Sequence, residues 1–217
     1  SNVAALLDIC RQASIPIYHT VTQIRSDGSD RMPHWKMANH WACVEGTSGV
    51  LPPAEIAALP EEAIFSQPFF NAFDNPKLSA ALAVNDIDTL IVAGIYTHAC
   101  VRATALDAYR RGHEVWIAAD AVASADPTHA RLTLEYLEGR AARCFSTTEI
   151  ATRLAEHAAC STENSTQRTW SHHNPANWDE VLTEVPLGQP RDLAAALHKV
   201  HGTQKACGQT GIAIRIE

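Results

Sequence analysis

The run DTLIVAGI, residues 88–95, constrains the fold more than any other stretch. After Asp88 and Thr89 every residue is apolar, with none of the polar alternation of a half-exposed strand. A strand of this kind is covered on both faces, the environment of a parallel strand between crossover helices. Its neighbours agree. AIFS (63–66) reads as a strand, PKLSAALAVN (76–85) as a helix and residues 100–111 as a helix. EVWIAADAV (114–122) is a strand, PTHARLTLEYLEGR (127–140) a helix, ARCFS (142–146) a strand and TTEIATRLAEH (147–157) a helix. Upstream, NVAALLDICRQA (2–13) carries Val3, Leu6, Leu7 and Cys10 at helical spacing with Asn2 as its expected cap, and IPIYHTV (15–21) is strand-like. The expectation is an α/β domain of three layers, α/β/α, with a mostly parallel sheet.

Two regions break the alternation. Residues 22–60 are rich in Asp, Gly, Pro, His and Trp, and a loop of that length in a compact domain is usually a lid or a binding loop. At 158 the composition turns polar, so one domain over 1–157 and a linker with a C-terminal arm over 158–217 are expected. Within that arm PRDLAAALHKVHG (190–202) reads as an amphipathic helix and TGIAIRIE as a strand.

The 217 residues are 46% hydrophobic and 19% charged, with a net charge of −7. No cluster of basic residues exceeds a short pair, so neither nucleic acid nor an anionic membrane is expected as a partner. No apolar run is long enough to span a bilayer, and no secretory leader is expected. The six cysteines are scattered without a C-x-x-C pair, which fits free thiols and a cytoplasmic setting.

Cys100 stands where strand 88–95 turns into the next helix. In open α/β sheets ligands bind beyond the carboxyl ends of the strands, where helix N-termini point amide groups at them. A helix dipole there favours a thiolate. Position alone leaves open whether Cys100 is a nucleophile or a small buried packing residue.

IVAGIYTHACVRATALDAYRRGHEVWIAADAVAS, with GTSG (46–49) and PFFNAF (68–73) in the same order, resembles the signature of the isochorismatase-like cysteine hydrolases. The resemblance covers about 2–155. It implies a hydrolase acting on an amide or related C–N bond through a thioester at Cys100, with a small molecule as substrate and no cofactor. It also implies a cis peptide between Ile95 and Tyr96, with the backbone N–H groups of Tyr96 and Cys100 forming the oxyanion hole. Gln67, Phe69, Tyr96, His98 and Trp35 then become candidate substrate contacts; Phe73 reads as core. His34 and His40 lack a ligand pattern, and no metal is expected.

The resemblance also implies two departures. The family's lysine falls at Gln67, which brings no charge. The family's aspartate lies at the end of a first strand that would precede residue 2, and that central slot needs an occupant. A piece of a longer chain, a filling segment such as GIAIRIE, or an impaired domain would each account for it. Residues 172–217 resemble the opening segment of aldehyde dehydrogenases, which suggests the junction of a fusion. Three functional readings follow: a C–N hydrolase of reduced activity, a catalytically impaired ligand-binding or assembly module, and, on Tyr96 and His98 alone, an isochorismatase-type vinyl-ether hydrolase. The arm implies a homo-oligomer.

Overall fold

The computed structural model describes residues 1–163, 169–174, 177–186 and 209–216. Its helices are α1 (Asn2–Gln12), α2 (Pro33–Met37), α3 (Pro76–Val84), α4 (Arg102–Arg110), α5 (Pro127–Leu137) and α6 (Thr147–Glu163). Its strands are β1 (Ile17–Thr22), β2 (Ala63–Gln67), β3 (Ile87–Ile95), β4 (Glu114–Ala123), β5 (Arg143–Phe145), β6 (Thr169–Asn174), β7 (Asn177–Pro186) and β8 (Gln209–Ile216).

Six strands form one sheet in the order β2-β1-β8-β3-β4-β5, and every pairing is parallel. The alternation read from the sequence therefore gives the expected α/β fold. Helices α1, α3, α4 and α5 pack on the sheet. The run 88–95 is buried as a strand that must be covered on both faces: Leu90, Ile91, Val92 and Ala93 are all out of solvent. Around them close Leu78 and Leu82 of α3, Ala105 and Ala108 of α4, Ile117 of β4 and Leu137 of α5.

The central slot between β1 and β3 is filled by β8. Ile17 to Val21 pair with Ile212 to Ile216, and Leu90 to Gly94 pair with Gly211 to Arg215. A parallel strand with open edges on both sides is satisfied only when both rows of backbone groups find partners, and an apolar alternating segment such as TGIAIRI meets that demand.

Four local expectations are corrected. Ser1, not Asn2, caps α1 by accepting the Ala4 N–H at 3.4 Å; Asn2 donates instead to the Asp120 carbonyl at 2.7 Å. The helix after β3 does not start as an α-helix: Thr97–Val101 make a π-helical turn before α4. Helix α6 continues past 157 to Glu163 despite its polar composition. The stretch expected as a linker holds an antiparallel hairpin, β6 with β7, in which Thr169 faces Pro186 and Trp170 faces Val185. The chain divides into two compact units, Ser1–Arg153 with Gly208–Glu217, and Leu154–Cys207, where composition alone placed a single break after 157. The helix expected at 190–202 lies outside the described residues.

Candidate functional site

Parallel pairing places the carboxyl ends of all six strands along one edge, where β2 ends in Gln67 and β3 leads into Tyr96, His98 and Cys100. Gln67 ends β2 and pairs with Thr22 at the end of β1; its carbonyl accepts the Gln23 N–H at 3.1 Å. The ends of β8 and β3 follow in order across the sheet, with Arg215 opposite Gly94. Gly94 has φ +109°, a conformation that an L side chain rarely adopts, and it starts the departure of the chain from the strand. The Ile95–Tyr96 peptide is cis, at the position implied by the family resemblance.

From there the π-turn wraps back on itself, with the N–H groups of Ala99 and Val101 both reaching the Tyr96 carbonyl, at 3.1 and 3.2 Å. Cys100 sits inside this turn and is wholly buried. Tyr96 and His98 are exposed, with ring centroids 6.0 Å apart. The His98 ring is fixed by Ser124, just beyond the end of β4, whose Oγ lies 2.8 Å from Nδ1 and accepts the His98 N–H at 3.4 Å.

The run TALDA (104–108), at the start of α4, has a physical role. The Thr104 hydroxyl accepts the Ala72 N–H at 3.1 Å, and Asp107 accepts from the Asn71 side-chain amide at 2.8 Å. Helix α4, which follows the π-turn holding Cys100, thereby clamps the FFNAF segment that follows Gln67. Burial works to raise the Asp107 pKa, but hydrogen bonds from Asn71, Arg110 and Arg111 outweigh it and hold it below the ordinary aspartate value. Asp120 sits where β4 bulges away from β3, between the pairs Val92–Ile117 and Gly94–Val122. It accepts from the Thr147 N–H and hydroxyl, both at 2.8 Å, at the start of α6. Both aspartates serve structure.

The tryptophan-rich loop also meets the FFNAF segment. The His34 ring stacks on Phe70 at 5.9 Å, and Trp35 meets His34 at 6.2 Å and His40 at 5.0 Å. The candidate residues thus fall into two described groups, Trp35 with the Phe69–Phe70 segment and Tyr96 with His98 beside Cys100. Gln67 is buried. Phe73 is core, as expected, and Phe69 is exposed. Among the described residues no group of three or more His, Cys, Asp or Glu side chains is placed to hold a metal ion.

Sequence reasoning did not single out Ser124, Arg102, His129 or Tyr136, which surround His98. It also missed a buried chain of charge below the sheet edge, where Glu62 accepts from Arg11 at 2.8 and 3.0 Å and lies 2.8 Å from His19 Nε2. Alternation along IPIYHTV gives no sign that His19 faces inward, because all six residues of β1 are buried.

The comparisons with known proteins converge. The chain is 25% identical over 206 residues to enterobactin synthase component B of Escherichia coli, covering 93% of this chain and 71% of that protein. It is 26% identical over 126 residues to nicotinamidase 3 of Arabidopsis thaliana, covering 57% of this chain and 63% of that one. Among solved structures, an isochorismatase family protein from Desulfovibrio vulgaris superposes with a TM-score of 0.66 at 28% identity, covering 70% of this chain and 82% of that chain. No described helix is long and apolar enough to cross a membrane. The isochorismatase domain model matches residues 1–149, over the same strands that carry Gln67 and Cys100 to one edge, and the chain belongs to that family of hydrolases.

Proposed function

We propose that the domain hydrolyses the C–N bond of a small amide, with Cys100 as nucleophile. The observation that carries this reading is the placement of a cysteine inside the turn that closes β3, at the carboxyl edge of the sheet. The likeness to a nicotinamidase supports an amide over a vinyl ether.

In this mechanism the Cys100 sulfur attacks the amide carbon and the carbonyl oxygen becomes an oxyanion held by the N–H groups of Tyr96 and Cys100. The C–N bond then breaks, the nitrogen leaves as ammonia or an amine after gaining a proton, and a thioester remains. Water adds to the thioester, the carboxylate departs, and the thiol is restored. Gln67, Phe69 and Trp35 contact the substrate from the β2 side and Tyr96 and His98 from the β3 side. No cofactor enters this chemistry.

Ammonia release from nicotinamide and a panel of small aryl and alkyl amides tests the reading. Release by the unaltered protein that is abolished in Cys100→Ala supports it. Equal release by Cys100→Ala, or none from any amide, overturns it.

A second reading is favoured by two specific observations: the family's lysine position holds a buried Gln67, and β8 in the central slot contains no aspartate. A positive charge about 4 Å from a thiolate is worth about 4 kcal/mol at an effective dielectric of about 20, so its loss alone weakens a cysteine nucleophile greatly. On this reading the domain is a catalytically impaired ligand-binding or assembly module, and residues 158–207 serve as an arm for a homo-oligomer. Binding of the amide panel without turnover, together with a dimer or larger assembly in sedimentation, would favour it over the hydrolase.

A further inference from the structure

A cleft of about 420 Å³ opens on the α5 side of the π-turn, lined by His98, Arg102, His129, Leu132, Thr133 and Tyr136. Cys100, buried inside the same turn, does not line it. The cleft is cationic and aromatic. The Arg102 guanidinium lies 5.2 Å from the Tyr136 ring centroid, and among the described residues no carboxylate pairs with it. The His98 and His129 ring centroids lie 5.2 Å apart, with the rings tilted by 56°. Asp126 lies 3.8 Å from His129 Nε2 and caps α5 through the Thr128 N–H at 2.7 Å.

Ser124 engages one side of the His98 ring. With Nδ1 tied to the Ser124 hydroxyl at 2.8 Å, the opposite nitrogen, Nε2, is left for the cleft. When the hydroxyl donates to Nδ1, Nε2 carries the proton and donates outward. An anion in the cleft selects that tautomer. Arg102 supplies a planar fork that matches a carboxylate bidentately, and the Tyr136 ring and Leu132 offer apolar surface to the body behind it.

We propose that this cleft is a binding site for a small planar carboxylate, held by Arg102 and His98 and packed against Tyr136; His98 is shared with the proposed amide site, and Cys100 takes no part. The site does not depend on whether Cys100 is a nucleophile.

The test is titration of the full chain with benzoate, followed by histidine ring ¹⁵N and ¹H resonances and by calorimetry, with inorganic phosphate as a charge-only control. Expected are saturable shifts of His98 and His129 and movement of His98 toward the Nε2–H tautomer. Arg102→Gln is expected to weaken benzoate by about tenfold or more, and Arg102→Lys, which keeps the charge and loses the fork, to restore only part. Arg102 is exposed, so both variants are expected to keep the parent's melting temperature. Cys100→Ala is expected to bind benzoate as the parent does, which separates failure here from failure of the hydrolase reading. Benzoate binding that is unchanged in Arg102→Gln, or lost in Cys100→Ala, overturns the proposal. So does phosphate binding as tightly as benzoate, or histidine shifts that follow protein concentration instead of ligand, which would mean a second copy covers the cleft.

Discussion

The Asn71 side-chain amide donates to Asp107 at 2.8 Å, joining the segment after β2 to the helix after Cys100. This bond, with Thr104 to Ala72, links the two strand ends that carry Gln67 and Cys100, although β1 and β8 lie between those strands in the sheet. Asp107 is buried and shared with Arg110 and Arg111 at 2.7 and 3.2 Å. Asp107→Asn is expected to cost about 2 kcal/mol of stability and to raise amide exchange across 68–75, because the Asn71 amide and the exposed Arg110 and Arg111 side chains lose a buried, charged acceptor. Unchanged exchange in that segment would show that the clamp does not hold it.

Glu62 sets an acid limit on the fold. Burial acts to raise its pKa, but hydrogen bonds from Arg11 and the Leu59 N–H and the contact with His19 outweigh it, bringing it from 4.5 down to about 2. A folded pKa below the unfolded one means that the stabilisation is fully present above the unfolded value and is lost as pH falls through the folded one. The contribution, about 3 kcal/mol, is therefore expected to disappear between about pH 5 and pH 2. Burial also lowers the His19 pKa, so protonation of the unfolded chain below pH 6.5 erodes stability in the same direction. Urea unfolding across this range is expected to show the loss, and Glu62→Gln to flatten it; parallel curves for the two proteins would refute the assignment.

Two thiols, the buried Cys10 and the half-buried Cys144, are held unreactive. Burial pushes Cys10 up to about 12, only partly opposed by Arg11, and burial with the nearby Glu138 does the same for Cys144. A rise of three units from 9.0 cuts the thiolate fraction about a thousandfold. In native protein at pH 8, alkylation mapped by peptide mass spectrometry is expected to spare Cys10 and Cys144 relative to the denatured chain. Labelling of either at the denatured rate would mean that its surroundings open.

Gly28 is held at φ +65° under Trp41, and a Cβ there would lie 2.5 Å from the indole. The same indole carries the Arg31 guanidinium at 3.9 Å. Gly28→Ala is expected to destabilise the protein by about 1 to 2 kcal/mol and to displace Trp41, seen as a shift in tryptophan emission. An unaltered melting temperature and emission would show that the loop yields without cost.

The residues by themselves determined the alternation of strands and helices, the depth of 88–95, and the position of Cys100 at a strand–helix turn. Those features are local: they follow from periodicity, from apolar runs and from where the chain must turn. The cis bond between Ile95 and Tyr96 was legible only through family resemblance. The tertiary structure decided the rest. Whether GIAIRIE is a tail or a central strand depends on which edges of β1 and β3 are open, a property of the assembled sheet: its alternation marks it as a strand, but not where that strand goes. The structural duty of Asp107 required knowing that Asn71 arrives beside it across 36 positions of sequence. The cleft around Arg102 likewise exists only because α5 packs against the π-turn, bringing His129 and Tyr136 to His98. Contacts between distant residues are fixed by packing, and no window of sequence contains both partners.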